Sequence, residues 1–226
     1  MRYLVYLIIM TQSDLDTARS FHILLTLHCF LCIFLQNMIR QVKKDIIQST
    51  DWVNKFDQLF DLKLENKIIV GMKSYHESFY EDRQFSFYYR DSFFDQPLET
   101  NVLMDQVTSI SEYDSVFNLK CDKNKAIRGV WSEHSNKKED RIFQFTCTTV
   151  EMNDGSGIQE TRLDNCESTN YQNNYDGPID YKCPLGSVLT GIESMHDNNF
   201  EDRRFKFRCC EVFPVPKPPS QTCKCF

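Results

Sequence analysis

The chain alternates between short apolar runs and polar turns, and in its clearest run, Gln84 to Phe87, polar and apolar side chains alternate. Arg83, Phe85 and Phe87 fall on one side of this segment, and Asp82 begins the opposite side. A period of two residues is typical of a β-strand that packs one face against the core. The side that carries the two phenylalanines is therefore predicted to face the core.

The same segment occurs three times, so an internal repeat is the dominant feature of the sequence. The copies are GMKSYHESFYEDRQFSFYY from Gly71, GVWSEHSNKKEDRIFQFTC from Gly129 and GIESMHDNNFEDRRFKFRC from Gly191. Shorter segments precede them: FDQLFDLKL from Phe56, YDSVFNLKC from Tyr113 and YDGPIDYKC from Tyr175. We place the repeats at residues 51–90, 105–147 and 171–210. Each repeat is predicted to form three strands, with a β-bulge or close backbone packing at its glycine.

Each repeat closes with the motif E-D-R-x-F-x-F, for which two interpretations are open. In the structural one, the aspartate fixes the turn into the last strand, and the arginine stacks on aromatic rings or pairs with a carboxylate. In the other, the motifs bind a sugar or a sulfate group. Three equivalent copies argue against catalysis, because an active site gathers unlike residues. We predict a structural role for Asp82, Arg83, Phe85, Asp140, Arg141, Phe143, Asp202, Arg203 and Phe205.

The first repeat lacks two cysteines that the other two repeats share, and it lacks both of them together. A disulfide between the first and last strands of a repeat explains this paired absence, since a lone thiol is disfavoured in an oxidising compartment. The predicted bridges are Cys121 to Cys147 and Cys183 to Cys209, with Cys166 to Cys210 as a third. Cys223 and Cys225, in the Pro-rich and Cys-rich tail at 213–226, either pair with each other or cross-link chains.

Residues 1–36 form a separate hydrophobic segment. Arg19 precedes an apolar run from Phe21 to Leu35, which has the length of a signal-peptide core and is shorter than the roughly 20 residues of a membrane span. Cleavage near Gln36 would remove Cys29 and Cys32 and leave an even set of eight cysteines, as expected of a secreted protein. An uncleaved signal anchor is the competing interpretation. After cleavage no membrane contact is expected.

The net charge of −6 gives no indication of nucleic-acid binding. One stretch, Asn118 to Arg141, nevertheless carries seven basic residues against four acidic ones. Such a patch attracts sulfated chains weakly and in a salt-dependent manner, although a merely solvated surface gives the same pattern. The candidate polyanion-binding residues are Lys120, Lys123, Lys125, Arg128, Lys137 and Lys138.

Three histidines, His76, His134 and His196, occupy the same position of each repeat. If the repeats have threefold pseudosymmetry, three nitrogens can converge to bind zinc. Alternatively, each histidine caps a hairpin or donates to a carbonyl of its own repeat, because equivalent positions recur for structural reasons in repeat proteins. We predict the second arrangement, with no metal and no cofactor.

Several of these features together resemble the dermatopontin family. They are D-R-x-F-x-F at the end of each repeat, WVNKFDQ from Trp52 to Gln58, and S-x-H-x-N-x-x-E-D-R from Ser132 to Arg141. The resemblance covers a domain at about residues 51–212. It implies a small secreted matrix protein that binds proteoglycans, glycosaminoglycans and matrix proteins, with haemagglutinins and aggregation factors among invertebrate relatives. The chain departs from the family pattern at Phe85, Phe143 and Phe205, where tryptophan is usual.

Together, these observations predict an all-β fold of three disulfide-supported repeats, arranged with pseudo-threefold symmetry as in a β-prism or a trefoil rather than as a linear array. The expected function is matrix adhesion or assembly outside the cell, with a homo-oligomer among the expected partners. A carbohydrate-binding lectin of defence or aggregation is the alternative. Neither a G-x-S-x-G elbow nor an H-E-x-x-H motif is present, and no enzymatic activity is predicted.

Overall fold

The structure is a computed structural model that describes residues 46–93, 96–100, 102–153, 155 and 157–215. The predicted signal segment at 1–36, and the tail from residue 216 with Cys223 and Cys225, lie outside these residues. The described residues form antiparallel β-structure with one 3₁₀ turn at Val102–Met104, so the all-β prediction is confirmed. This part of the chain contains no helix long and apolar enough to cross a membrane.

The strands, in chain order, are β1 (Gln48–Ser49), β2 (Phe60–Lys63), β3 (Ile68–Glu77), β4 (Asp82–Arg90), β5 (Ser92–Phe93), β6 (Gln96–Thr100), β7 (Gln106–Val107), β8 (Phe117–Lys120), β9 (Lys125–Ser135), β10 (Asp140–Asn153), β11 (Ile158–Ser168), β12 (Ile179–Lys182), β13 (Ser187–Asp197) and β14 (Asp202–Pro214). Each repeat contributes one long hairpin: β3–β4, β9–β10 and β13–β14. Strands β1, β4, β3 and β12 form one sheet, and a ten-stranded sheet contains the other two hairpins, joined through β11.

The short first strand of each repeat lies in the sheet of another repeat. Strand β2 of repeat one pairs with β9, β8 of repeat two pairs with β13, and β12 of repeat three pairs with β3. Each repeat thus has the three predicted strands, but its first strand does not pair with its own hairpin. Alternation of side chains sets which face of a strand is buried, but it does not choose the partner strand. We call these three strands the exchanged strands. Because each one pairs with a different repeat, the pairings link repeat one to two, two to three and three to one in a closed circle.

The repeated glycines lie where the exchanged strands approach most closely. The hairpin register shifts next to Gly71, Gly129 and Gly191. A Cβ atom at Gly129 would lie 2.8 Å from the Leu62 carbonyl oxygen, and one at Gly71 would overlap the carbonyl oxygen of Tyr181. The predicted bulges and close packing at the glycines are confirmed.

The interior is built around the phenylalanines of the repeated motif. The rings of Phe85, Phe143 and Phe205 touch one another, with centroids 5.7, 6.0 and 6.4 Å apart. All three residues are at most 2% exposed, so they lie in the core as the alternation predicted. A second apolar cluster is formed on the connecting strands and the far parts of the hairpins by Ile68, Val70, Phe93, Leu98, Val150, Met152, Leu163 and Val212.

The alternation did not predict the burial of Asp82. It predicted Arg83 on the core side and Asp82 on the opposite side, yet both residues are only 3% exposed. Asp82 is buried because its carboxylate pairs with an arginine from another repeat. A pattern within one strand cannot reveal such a partner.

The structure contains the two disulfides that the repeat comparison predicts, Cys121 to Cys147 and Cys183 to Cys209. It also contains the third expected bridge, between Cys166 and Cys210. Cys121 and Cys183 directly follow the exchanged strands β8 and β12. Each of these two bridges therefore links an exchanged strand, which pairs with the sheet of another repeat, to the hairpin of the repeat to which the strand belongs. Repeat one has Leu64 in the equivalent position, and its strand β2 is held by packing and hydrogen bonds.

We expect replacement of Cys183 and Cys209 by alanine to lower the free energy of unfolding by about 3 kcal/mol. The bridge joins residues separated by 26 positions, and the chain-entropy model assigns about 3 kcal/mol to a loop of this size. Guanidinium unfolding of the variant and the wild-type protein without reductant measures the difference. A loss below about 1 kcal/mol would show that β12, like β2, is held without help from its disulfide.

Candidate functional site

The three E-D-R motifs meet in the interior and form a closed ring of ion pairs. Each arginine donates from Nε and Nη2 to the two carboxylate oxygens of an aspartate from another repeat. The pairs are Arg83 with Asp202 at 2.6 and 2.7 Å, Arg141 with Asp82 at 2.5 and 2.8 Å, and Arg203 with Asp140 at 2.6 and 2.7 Å. All six side chains are at most 4% exposed. This geometry supports the structural interpretation of the motif, since the paired groups are closed to solvent.

A second aspartate in each repeat, absent from the predicted site, completes the ring. The backbone N–H groups of Asp57, Asp114 and Asp176 donate to Oδ2 of the motif aspartate of the same repeat, at 2.8, 2.9 and 2.8 Å. These residues have positive φ angles of 61°, 54° and 60°, a conformation that costs a residue other than glycine roughly 1 kcal/mol or more. Their signal in the sequence is the aspartate that follows Phe56, Tyr113 and Tyr175.

The histidines contact other repeats, which the sequence did not predict. His134 Nε2 lies 3.3 Å from the Glu81 carbonyl oxygen, and its Nδ1 lies 3.3 Å from Asp57 Oδ1. His196 also has a contact within its own repeat, since Nδ1 lies 3.0 Å from Asn198 Oδ1, a side chain of the hairpin turn and not a backbone carbonyl. Among the residues that the structure describes, the histidines do not share one group of potential metal ligands. Each belongs to a separate group with two aspartates.

Three glutamates, Glu81, Glu139 and Glu201, line a small cavity together with the ring of ion pairs. Its volume of about 20 Å³ is enough for one water molecule. Burial raises the pKa of the Glu81 and Glu201 carboxyls, and the nearby Glu139 carboxylate raises both further. His76 opposes the shift at Glu81, and His196 opposes it at Glu201. Six carboxyl groups and three guanidinium groups line this cavity together with His76 and His134, and the glutamates among them reach solvent.

A larger cleft lies elsewhere, where the turn between β8 and β9 meets β11, β13 and β14. Its volume is about 270 Å³. Four basic side chains and one acidic side chain line it, so it carries three excess positive charges. The basic residues are Lys120, Lys123, Lys125 and Arg208, and the acidic one is Asp122.

Hydrogen bonds to neighbouring strands fix the residues that line the cleft. Asn124, at the left-handed position of the β8–β9 turn with φ 61°, accepts the backbone N–H of Leu163 at 3.2 Å. The N–H of Cys121 donates to the Thr190 carbonyl oxygen at 2.9 Å. Arg208 Nη1 donates to Thr190 Oγ1 at 2.9 Å, which fixes the guanidinium against the wall. The cleft is therefore formed by groups from repeats two and three and from β11.

The predicted polyanion-binding residues separate into distinct places. Lys120, Lys123 and Lys125 gather at the cleft. Arg128 does not, which corrects the prediction: it is 4% exposed, and its Nε donates to Asp105 Oδ1 at 3.0 Å. A basic residue inside a strand can serve an internal ion pair, and the local charge count does not distinguish the two roles.

Lys137 and Lys138 lie in the β9–β10 hairpin turn, where they are exposed, and do not line the cleft. Lys138 pairs with Asp114 at 2.5 Å, and this hydrogen bond raises the pKa of the lysine ammonium group. Arg208 takes part in the cleft instead, although its signal in the sequence was only a basic residue in the last strand of repeat three. The cleft joins residues that are nearly ninety positions apart in the chain, counting from Lys120 to Arg208.

The hairpin turns of repeats one and three carry exposed aromatic rings. Phe56 stacks on Tyr80, and Tyr175 stacks on Phe200, both with centroids 4.7 Å apart. Phe79, beside Tyr80, is 83% exposed. Large aromatic side chains left in water are typical of binding surfaces.

Comparison with known proteins identifies relatives of this chain. The family model described as Dermatopontin matches residues 54–214. The hemagglutinin/amebocyte aggregation factor of Limulus polyphemus is 32% identical over 166 residues, which cover 73% of this chain and 89% of that protein. Millepora cytotoxin-1 of Millepora dichotoma is 29% identical over 160 residues, which cover 70% of this chain and 65% of the relative.

A further relative is the dermatopontin of Biomphalaria glabrata, which is 40% identical over 96 residues, 42% of this chain and 58% of that protein. No solved structure matches the chain. The family match begins at Asn54, three residues before Asp57, and ends with β14 at Pro214. It therefore includes every residue of the ion-pair ring. Because this match covers more than half of the sequence, the protein belongs to the dermatopontin family.

Proposed function

We propose that the protein is secreted and acts outside the cell in adhesion or matrix assembly, and that its basic cleft binds the sulfated or carboxylated chains of proteoglycans. The observation that carries the proposal is the cleft itself, where Lys120, Lys123, Lys125 and Arg208 surround one space. Membership of the dermatopontin family and the disulfides support an extracellular location. The proposal includes binding of matrix proteins and self-association, and it includes no catalytic activity.

The charge distribution supports a polyanion at this position. The whole chain has a net charge of −6, so its overall charge repels an anionic polysaccharide. The cleft, with three excess positive charges, is a local exception. Attraction of this kind falls as salt screens the charges, and binding should therefore weaken strongly between low and physiological ionic strength.

We expect replacement of Lys120, Lys123 and Lys125 by glutamine to weaken binding to heparin by about tenfold or more. At about 0.5 kcal/mol for each exposed ion pair, the loss of three pairs reaches the roughly 1.4 kcal/mol of a tenfold change in affinity. Surface plasmon resonance on immobilised heparin and dermatan sulfate, at low and physiological salt, measures the change.

The matched control is replacement of Lys55, Lys137 and Lys138 by glutamine, which removes the same charge from exposed positions away from the cleft. This variant should bind heparin within about threefold of the wild-type protein. Equal weakening by both variants would show diffuse attraction to the surface and would contradict a role for the cleft.

A carbohydrate-binding lectin or haemagglutinin-like aggregation protein is the second candidate. The stacked aromatic pairs at the hairpin turns favour it, as does the similarity to a protein named hemagglutinin/amebocyte aggregation factor. A glycan array that includes neutral sugars and sulfated chains separates the two candidates. Salt-insensitive binding to a neutral sugar would favour the lectin, and salt-sensitive binding to the sulfated chains would favour the matrix function.

The proposal includes a pseudo-threefold arrangement of the repeats, as in a β-prism or, as the second choice, a trefoil. The closed ring of ion pairs supports it, because each repeat contributes one arginine and one aspartate to different neighbours. The circular exchange of β2, β8 and β12 supports it as well. In such an arrangement the exposed turns of the three hairpins are gathered around the central cavity.

A further inference from the structure

Each histidine of the repeats lies at a junction between two repeats, beside two aspartates. The three groups are Asp57, Asp82 and His134; His76, Asp176 and Asp202; and Asp114, Asp140 and His196. In each group the histidine comes from one repeat and the aspartates from another. One nitrogen and two carboxylate oxygens lie within 4.8 Å of one another in every group. We call these groups the junction sites.

The junction site of His134 contains a buried ring nitrogen, Nδ1, that makes no hydrogen bond. Nε2 of His134 lies 3.3 Å from the Glu81 carbonyl oxygen, an acceptor, so the ring proton belongs on Nε2. Nδ1 then presents a lone pair to Asp57 Oδ1, 3.3 Å away, and makes no hydrogen bond. The side chain of His134 is 1% exposed. The side chain of Asp57 is 32% exposed, so one of the two facing acceptors is buried and the other reaches solvent. Two acceptors at this distance need a proton or a cation between them.

His76 shows the same conflict. Its Nδ1 lies 3.3 Å from Asp176 Oδ1, its Nε2 lies 3.7 Å from Glu81 Oε2, and neither nitrogen makes a hydrogen bond. The side chain is 1% exposed. A neutral imidazole has one N–H and can donate to only one of these carboxylates. At this second, independent junction a neutral His76 therefore leaves at least one carboxylate facing a nitrogen that carries no proton.

From this geometry we propose that the junction sites bind divalent cations of the zinc class. At the junctions of His134 and His76, a cation between the histidine Nδ1 and the outer aspartate, Asp57 or Asp176, replaces the repulsion of two acceptors by two coordinate bonds. The third junction is wider, because His196 Nδ1 lies 3.0 Å from Asn198 Oδ1 and 4.0 Å from Asp114 Oδ1. Zinc bonds to nitrogen and oxygen are about 2.0 to 2.2 Å long, which places two ligands of one tetrahedral ion about 3.4 Å apart. The 3.3 Å between nitrogen and oxygen at His134 and at His76 fits this spacing.

The surrounding groups match a metal site in two further respects. A histidine that binds a metal usually donates its other N–H to a carbonyl or carboxylate, as His134 does toward Glu81. The inner aspartate Asp82 receives three hydrogen bonds, from Arg141 and from the Asp57 N–H, and a carboxylate has about four acceptor positions. The remaining position is on Asp82 Oδ1, which lies 4.0 Å from His134 Nε2, so Asp57 is the carboxylate that faces Nδ1. A mixed set of imidazole and carboxylate selects zinc over calcium and magnesium.

The test uses the full secreted chain without a polyhistidine tag, after treatment with EDTA. We expect Zn²⁺ to bind in isothermal titration calorimetry with up to three ions per chain, and to raise Tm by about 5 °C or more near saturation. Mg²⁺ and Ca²⁺ at the same concentration should leave Tm within about 1 °C. The variant with Asp57→Asn, Asp114→Asn and Asp176→Asn should lose the zinc-dependent rise in Tm.

This variant is suited to the test because asparagine tolerates the positive φ of these positions and keeps the backbone N–H that the motif aspartates accept. Its Tm without metal should stay close to that of the wild-type protein, because the one ion pair it loses, between Asp114 and Lys138, is partly exposed and contributes little. The matched control, Asp61→Asn, Asp164→Asn and Asp180→Asn, changes three exposed aspartates outside the junction sites and should keep the response to zinc. No binding of Zn²⁺ to the wild-type chain, or an unchanged zinc response in the junction variant, would overturn the proposal. In the first case a proton on the histidine supplies the positive charge.

Discussion

Replacement of Asp82 by alanine is expected to lower the free energy of unfolding by about 3 to 5 kcal/mol. The Asp82 carboxylate accepts two hydrogen bonds from Arg141 and one from the backbone N–H of Asp57. Without it, the Arg141 guanidinium, whose side chain is 3% exposed, remains buried with no counter-charge, a situation that typically costs about 3 to 5 kcal/mol. Urea unfolding followed by tryptophan fluorescence measures the loss.

Asp61→Ala is the control for this prediction. Asp61 also pairs with a basic residue, since its carboxylate lies 3.4 Å from Lys63 Nζ, but the two side chains are 46% and 56% exposed. Solvent screens such a pair, and its removal should cost less than about 1 kcal/mol. If Asp82→Ala destabilised the protein no more than Asp61→Ala, the ion pair between Asp82 and Arg141 would not contribute to the stability of the contact between repeats one and two.

The features that the sequence predicted are those that depend on neighbouring residues in the chain and occur in every repeat. The alternation around Phe85 indicated a core strand because a strand turns its side chains to alternate faces. The missing cysteines at Leu64 and Tyr89 indicated the bridges because two positions changed together. The spacing of Gly71 indicated a close approach because only glycine leaves room for a backbone atom at that distance. Repetition turned each weak local signal into a specific one.

What the sequence did not reveal is the choice of partners. The strand beginning at Phe60 is visible in the pattern, but its pairing with the hairpin of repeat two depends on the whole chain. The same holds for Arg141, whose motif predicts a carboxylate partner without showing that the partner belongs to repeat one. Three copies of one motif offer several chemically equivalent partners, and only the closed structure distinguishes them.

Charge was the least informative property of the sequence. Arg128 and Lys125 stand three residues apart in the same basic stretch, yet Arg128 is buried against Asp105 and Lys125 lines the cleft. Arg208 enters the same cleft from repeat three. A long basic side chain can extend to solvent or fold onto an internal carboxylate, and the sequence around it does not decide between them. Candidate binding residues in this family are therefore better chosen from the cleft than from the charge count.

The core makes a prediction of similar size: Phe143→Ala is expected to lower the free energy of unfolding by about 3 to 5 kcal/mol, the usual cost of removing a buried aromatic ring. Phe143 is 2% exposed. Its ring lies 5.7 Å from that of Phe85, 6.0 Å from that of Phe205 and 5.5 Å from that of Phe117. The substitution thus opens a cavity where residues of all three repeats meet, and denaturant unfolding measures the effect.

Phe79→Ala removes the same ring from a side chain that is 83% exposed, and it should change the stability by less than about 0.5 kcal/mol. The contacts of Phe143 with Phe85 and Phe205 further require that Phe85→Ala and Phe205→Ala destabilise the protein by similar amounts, each in a single unfolding transition. A separate transition for one repeat in any of these variants would contradict a shared core. Similar losses of stability, each in one transition, are expected of this fold. The first strand of each repeat pairs with the hairpin of another repeat, so no repeat can unfold alone.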